Sequence, residues 1–594
     1  MKNFIKDLFS IFSYKEKVIF LFISILLFIG ATLELISIAF FVPFIKISTD
    51  FNYFQNSYFF GLYSFFDFSS YLNFIIFLGL VAMSLLLISS LLMIITSWCF
   101  VKYTHKIGCN LSSRLFLYYL NKKWNFYLFN ERNFLFKKII HDVEIVIDSI
   151  LIPILFLSSK IVTVLFIFLF LLFINPYVTF YLFISYLLFY VFFFAIIKKT
   201  LAKNSVIISD NQEQKIKILN DSFLGIVDIK LANKEIYFYQ IFSRANKLYH
   251  NNLGDRQVLS LVPRGILEVI SIVSILIIFI IFLKLYNNNF TIIIPMLAVY
   301  ALAGFKIIPS LQSIFHNISI IKGSLWSFNL IKEDLILNKV DENRYLPDSA
   351  RKEIVFRDKI CLNDIFYAYP TRDIAVLNNL YLEIKKNSFV SIIGPNGSGK
   401  STIVYIILGL ISPTKGSMLI DNEQIHLKHD IISWQKKIGY VSQNIFLFND
   451  TLFNNIIFGL NPADVNLDDI NKIIKFTNLS EFIDSLPNGL NTLLKDNGIN
   501  LSGGQKQKIA IARCLIKKSE IIIFDECTSA LDLESEKIIN DLMFNLKGNI
   551  TVINITHKID SIKNSDLVYY IKNGTVDFCG NFKEILPKID LNNS

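Results

Sequence analysis

Leu501-Ser502-Gly503-Gly504-Gln505 stands downstream of a glycine-rich stretch, Gly394-Pro395-Asn396-Gly397-Ser398-Gly399-Lys400-Ser401, and ahead of an apolar run ending in two acids, Ile521-Ile522-Ile523-Phe524-Asp525-Glu526. Each piece alone fits many proteins; in this order they mark an ATP-driven machine. Residues 389–393 are apolar and predict a strand entering the glycine-rich turn, and 401–410 predict the helix leaving it. Gly394, Gly397 and Gly399 let the backbone curl until its amides, with the helix N-terminus, face a phosphate chain. Pro395, Asn396 and Ser398 complete the loop, Lys400 adds a point charge, and Ser401 offers a hydroxyl to Mg2+. A plain surface turn is the alternative, and the flanking strand and helix argue against it.

The constellation resembles the nucleotide-binding domain of the ATP-binding cassette (ABC) family, over residues 353–580. The resemblance implies roles for single residues. Asp525 is expected to partner Mg2+, directly or through water, and Glu526 to polarise the attacking water, a task worth about 10²- to 10⁴-fold in rate. His557, after the strand-like 551–555, matches the switch histidine that holds the γ-phosphate and the water. Gln443, in Tyr440-Val441-Ser442-Gln443, matches the glutamine that joins Mg2+ and water to the membrane region. Thr402 is placed for the α-phosphate, and Tyr369 for stacking on adenine, with Tyr367 as the alternative. In the family two domains meet head to tail, so Ser502, Gly503, Gly504 and Gln505 would complete the ATP cage of a partner, and Ser529-Ala530-Leu531-Asp532 would cross that interface. With one cassette per chain, a second copy of the chain is the expected partner.

The sequence departs from the family pattern at five positions. Cys527 stands where alanine is usual, Lys508 replaces a common arginine, Lys495 a common glycine, and Thr556 and Lys558 flank the histidine where alanine and arginine are common. None removes a catalytic group. Cys527 beside Glu526 invites a redox reading, but a small buried filler is the simpler one. Cys99, Cys109, Cys361, Cys514, Cys527 and Cys579 form no Cys-x-x-Cys pair, so neither disulfide nor zinc site is implied.

Ahead of the cassette the chain changes character. It has 594 residues, 53% of them hydrophobic, and the apolar excess lies before about residue 321. Runs long enough to cross a bilayer, about 20 residues each, occur at 18–42, 72–101, 151–174, 177–197, 261–283 and 291–314. The expected architecture is an all-α six-helix transmembrane domain followed by an α/β P-loop cassette. The expected boundaries are 1–330 for the membrane domain, 331–352 for a linker, 353–582 for the cassette and 583–594 for a tail.

Lys2, Lys6, Lys15 and Lys17, and the basic segments 102–138 and 198–256, mark the cytoplasmic side; Lys46, Asn175-Pro176 and Lys284 mark sparsely charged outward turns. The N-terminus and the cassette are therefore expected in the cytoplasm, at a bacterial inner membrane. The same bias accounts for the net charge of +10 without nucleic acid. The first apolar run is longer than a signal peptide and lacks a clear cleavage site, so it is expected to stay attached. The long cytosolic segments resemble those of ABC exporters, with coupling helices near 125–131 and 233–242 and an alternating-access cycle driven by ATP.

The ionisable residues within the spans are Glu34, Lys160, Arg264, Glu268 and Lys306, each costing about 2.5 to 3.5 kcal/mol at a helix centre. Arg264 and Glu268 either pair along one helix or join Lys160 and Lys306 in a cationic cavity for an anionic head group. The stretches 32–39, 43–45 and 50–54, with Val262-Pro263-Arg264, Leu267-Glu268 and 445–450, resemble PglK-type flippases of lipid-linked oligosaccharides. The resemblance implies a polyprenyl-pyrophosphate-linked oligosaccharide as substrate. Residues 51–68 would then be an interfacial helix touching the prenyl tail, or a plain aromatic anchor in membrane lipid. Export of lipid A, peptide or drugs is the competing transport role, and an ATP-gated channel the competing class.

Overall fold

The structure, a computed structural model, describes residues 2–49, 51–286, 290–336, 354–370, 374–424, 431–495, 498–529 and 531–593. The chain divides into two compact units: 1–122 with 129–340, and 123–128 with 341–594.

The first unit is helical. Six helices are long and apolar enough to cross a membrane: Tyr14–Thr49, Tyr71–Leu120, Arg132–Ile174, Pro176–Leu224, Glu235–Leu285 and Ile293–Lys322. Their ends follow local chemistry. The Asn175 side chain accepts a hydrogen bond from the Val178 amide at 3.2 Å, and Pro176 opens the fourth helix, so Asn175 alone separates the third span from the fourth. Ser70 caps the second helix in the same way. The third span is interrupted by π-helical segments at Lys137–Asp142 and Ile147–Leu151, which no apolar pattern signals. The aromatic stretch 51–68 contains two short helices, Phe51–Gln55 and Tyr58–Phe65. Phe54 packs there with Ile47, Phe74 and Leu78, while Tyr58 and Phe65 stay exposed.

Two expectations shift. A short helix lies at Ile226–Leu231, and left-handed Asn233 separates it from the long helix Glu235–Leu261, so the corner between the fourth and fifth spans precedes most of 233–242. The helix Leu325–Ile336 runs through the expected boundary at 330, and Phe582–Asn593 makes the expected tail helical. The rest of the linker, 337–352, and Asn287-Asn288-Asn289 and Ala530 lie outside the described residues.

Within the spans, Lys306 Nζ meets Glu34 Oε1 at 2.6 Å, so Lys306 finds on the first helix the acid its own helix lacks. Glu34 is buried, and its Oε2 has no partner. Arg264 and Glu268 do pair along one helix, at 3.0 Å, and both side chains are exposed.

In the second unit, antiparallel strands β1 (Lys359–Tyr367), β2 (Leu377–Lys385), β4 (Lys415–Ile420) and β5 (Glu423–Gln424) form one sheet, ordered β2-β1-β4-β5. The other sheet takes β3 (Phe389–Ile393), β6 (Ile438–Val441), β7 (Ile521–Asp525), β8 (Thr551–Ile555), β9 (Leu567–Lys572) and β10 (Thr575–Gly580), ordered β10-β9-β3-β8-β7-β6. Only β10 runs antiparallel to its neighbour. Strands β3, β7 and β8 are buried throughout, as expected of apolar runs in a parallel sheet covered on both faces. Trp124, in the segment 123–128, packs on the core of this unit, with its ring 5.6 Å from that of Tyr405.

Replacing Lys306 with Met strands a buried carboxylate, at a cost of about 1–3 kcal/mol. The thermal midpoint of Lys306→Met in detergent is expected below that of the double variant Glu34→Gln/Lys306→Met. Equal midpoints would show that the pair carries no such penalty.

Candidate functional site

Strands β3, β8, β7 and β6 lie side by side, and each delivers one part of the site at its C-terminal end. The register pairs Ile392 with Ile555, Asp525 with Ile555 and Val441 with Phe524, so the four strands end level. The glycine-rich loop leaves β3, His557 follows β8, Asp525 and Glu526 close β7, and Gln443 follows β6. Residues more than 150 positions apart in sequence thereby reach one edge, where ligands bind in open α/β sheets.

Gly394 has φ +152°, and a Cβ there would come within 2.1 Å of the Ile571 carbonyl oxygen. Only glycine brings the chain this close to β9. Left-handed Gly399 caps the helix Lys400–Ile407, whose N-terminal amides face out of the sheet edge. Lys400 is buried and donates to the carbonyls of Gly394 and Pro395 at 2.8 and 3.0 Å. Burial lowers its pKa, an effect opposed by Glu526 and Asp525. Ser398 Oγ is buried without a partner, while Pro395, Asn396, Gly397 and Ser401 are exposed. A cradle of backbone donors with an orphaned hydroxyl and a lysine held by loop carbonyls fits a phosphate chain.

The three expected catalytic residues meet. His557 Nε2 lies 2.7 Å from Glu526 Oε1, and Gln443 Nε2 donates to Glu526 Oε2 at 3.2 Å. Glu526 itself sits at φ +48°, with its amide donating to the Ile555 carbonyl on β8 at 2.9 Å. A left-handed glutamate is costly and turns the side chain off the strand's alternation. Ser529 Oγ donates to the Glu526 carbonyl at 2.8 Å and lies 3.5 Å from Gln443 Nε2.

Asp525 is nearly buried and accepts from the Tyr440 hydroxyl at 2.9 Å. Burial raises its pKa above the ordinary aspartate value; Glu526 adds to the rise, and Tyr440 and Lys400 oppose it. Among the described residues Asp525, Ser401 and Gln443 are the oxygen donors suited to Mg2+ at this edge, a hard cation that takes such ligands. Tyr369 OH and Thr402 Oγ1 are 3.2 Å apart, and Tyr367 is buried in the core, which leaves Tyr369 as the aromatic beside the loop.

Ser502 caps the helix Gly503–Ile516 in a reciprocal box: Gln505 N donates to Ser502 Oγ at 3.2 Å, and Ser502 N to Gln505 Oε1 at 2.9 Å. Ser502 and Gly503 are exposed and Gly504 is buried. Among the described residues no hydrogen bond joins 501–505 to the phosphate loop of the same chain.

Three features escape motif reading. Tyr440 acts through a hydroxyl whose target, Asp525, lies on another strand. Lys558, seen in sequence only as a departure, donates to the Thr528 carbonyl at 2.8 Å and pairs with Glu536 at 2.6 Å, bracing the residue after His557. Arg513 bonds the carbonyls of Phe446 and Asn455, pinning the signature helix to the segment after Gln443. Cys527 is buried, and burial pushes its thiol up to about 12, which makes it an inert filler. In the membrane unit, Lys160 borders an apolar chamber of about 320 Å³, and among the described residues no carboxylate lies within ion-pair distance of it.

Because folding raises the Asp525 pKa, this group favours the fold while protonated, and that contribution is lost as pH rises through the folded pKa. Asparagine mimics the protonated form and keeps a partner for Tyr440. Asp525→Asn is expected to stabilise the nucleotide-free protein at neutral pH by about 0.5–2 kcal/mol. It should also abolish the thermal shift given by Mg2+-ATP, about 2.7 kcal/mol at a hundredfold excess over Kd. A retained shift would remove Asp525 from the metal site.

A model of the family described as ABC transporter matches residues 377–529. An ATP-dependent lipid A-core flippase of Pseudoalteromonas translucida (strain TAC 125) is 40% identical over 228 residues, 38% of this chain and 39% of that protein. ATP-binding cassette sub-family B member 5 of Mus musculus is 34% identical over 270 residues, 45% of this chain and 21% of that protein. These matches span at most about two fifths of the relatives' own length. A bacterial Atm1-family ABC exporter, solved with ATP bound, superposes with a TM-score of 0.78 over 95% of both chains at 20% identity. Residues 377–529 match the ABC transporter family, and the chain as a whole has the fold of an ABC exporter.

Proposed function

We propose that the chain is half of a homodimeric ATP-driven exporter. The observation that carries this reading is the Glu526 carboxylate held between His557 and Gln443 at the end of β7, beside the phosphate loop. A carboxylate with both oxygens oriented is prepared to take a proton from water, with His557 and Gln443 fixing its direction. Mg2+, held by Ser401, Gln443 and Asp525, would supply charge neutralisation at the phosphates. Lys400 and the loop amides bind and orient the phosphate chain. The exposed Ser502-Gly503 cap, remote from its own loop, is free to serve a second copy.

The proposed cargo is a polyprenyl-pyrophosphate-linked oligosaccharide, moved from the cytoplasmic to the outer leaflet of a bacterial inner membrane for protein glycosylation or surface glycan assembly. The PglK-type residues around Glu34, Arg264 and Glu268, the unpaired Lys160 and the exposed Tyr58 and Phe65 support it. Lipid A is the second reading, favoured by the similarity to lipid A-core flippases. Both cargoes join an anionic head to apolar tails. The positive cytosolic segments support a cytoplasmic cassette.

Glu526→Gln keeps Lys400 and the loop, so it should bind ATP with unchanged affinity, hydrolyse it at least about a hundredfold more slowly, and accumulate as closed dimers. Wild-type turnover would remove Glu526 from catalysis. Mixed dimers with Lys400→Ala on one chain and Ser502→Arg on the other keep one complete composite site, and should out-turn dimers carrying both changes on one chain. Equal rates would contradict the head-to-tail arrangement.

A further inference from the structure

Beneath the N-terminal helix Lys2–Ile11 the first unit holds a cavity of about 550 Å³. Leu8 of that helix, Phe20 and Leu27 of the first span, Leu155 of the third and Ile321 of the sixth form its walls. The helix buries Leu8 and Ile11 and exposes Lys6 and Ser10, the pattern of a helix lying in the membrane interface.

The polar groups on this cavity are few. Ser24 and Ser158 spend their hydroxyls on the carbonyls of Phe20 and Leu155, each at 2.8 Å, so they line the wall as apolar surface. Ser159 is 3% exposed, and its Oγ has no partner. Lys322 is the one ionic group on the lining. Its ammonium lies 5.2 Å from the Phe194 ring, and among the described residues no carboxylate is within ion-pair distance. The chamber of Lys160 shares Leu27 and Ser159 with this cavity. Among the described residues, the ionic groups bordering the two spaces are therefore both cations.

We propose that the cavity holds an acyl chain of an anionic membrane phospholipid, with its phosphate at Lys322, as a resident lipid that is not the cargo. Hydrocarbon walls suit the chain, at about 0.8 kcal/mol per buried CH2. An uncompensated lysine at the last residue of the sixth span suits a negative head group at the interface. A neutral lipid would fill the walls and leave Lys322 unmatched. The head-group contact, Lys322, is not among the residues assigned to the cargo, although the cavity adjoins the chamber of Lys160.

The test uses the full-length protein in phosphatidylcholine nanodiscs containing a chain-diazirine phosphatidylglycerol or the matching phosphatidylcholine. The anionic probe is expected to label 154–162 and 318–325 about fivefold more than the neutral one, the ratio given by one lysine near the head groups. Lys322→Gln should erase that preference. Ser24→Phe and Val162→Trp, which fill the cavity from partly buried positions, should each reduce labelling by both probes while the thermal midpoint holds. Two fillers keep the test intact if one fails to fold. Equal labelling by both probes in the wild type would overturn the anionic assignment. Labelling unmoved by a well-folded filler, or absent because a second copy covers the cavity, would overturn the site. Loss of the bound probe during ATP turnover would make the lipid cargo and overturn residency.

Discussion

The level ending of four parallel strands is the constraint on which the cassette depends. One residue of slip between β7 and β8 would turn Asp525 out of alignment with Ile555 and carry Glu526 away from His557. The sheet is protected against slip by its burial: Ile522, Ile523, Phe524, Val552 and Ile553 are fully enclosed, and each is worth about 1.5–3 kcal/mol of hydrophobic stabilisation. The core thus stores the precision that the exposed edge uses. The left-handed turn at Glu526 and the buried charge of Asp525 are local costs carried by that core.

The same geometry explains how nucleotide chemistry could reach other parts of the chain. Gln443 touches Glu526, and the segment after it is bonded to the signature helix through Arg513. Lys558 ties the turn after His557 to the carbonyl of Thr528 and to Glu536. Substituting Lys for the common arginine at 558 keeps the charge and one acceptor at each end, so the departure changes donor geometry and not the connection.

The sequence was most readable where backbone conformation demands particular residues. The glycine loop, the Ser502 cap with Gln505 and the apolar strands before Asp525 and His557 could be placed because no other residue types serve those positions as well. Six spans could be counted because a bilayer sets a minimum apolar length. Side-chain partners across elements were hidden: nothing near Lys306 in sequence points to Glu34, 272 positions away, and nothing in Tyr440 points to Asp525. Uniformly apolar helices also concealed the cavity beneath the N-terminal helix, since composition without periodicity carries no facing.

The central claim is that hydrolysis at Glu526 moves an amphiphile with an anionic head across the membrane. The most direct measurement follows a fluorescent polyprenyl-pyrophosphate-linked oligosaccharide in proteoliposomes, reading its accessibility to an impermeant glycan-oxidising or quenching reagent after ATP is added on the cassette side. The account predicts ATP-dependent transfer to the opposite leaflet that is absent with a non-hydrolysable analogue, accompanied by faster ATP turnover. Vigorous ATP hydrolysis with no change in leaflet accessibility, for this lipid and for lipid A, would contradict it.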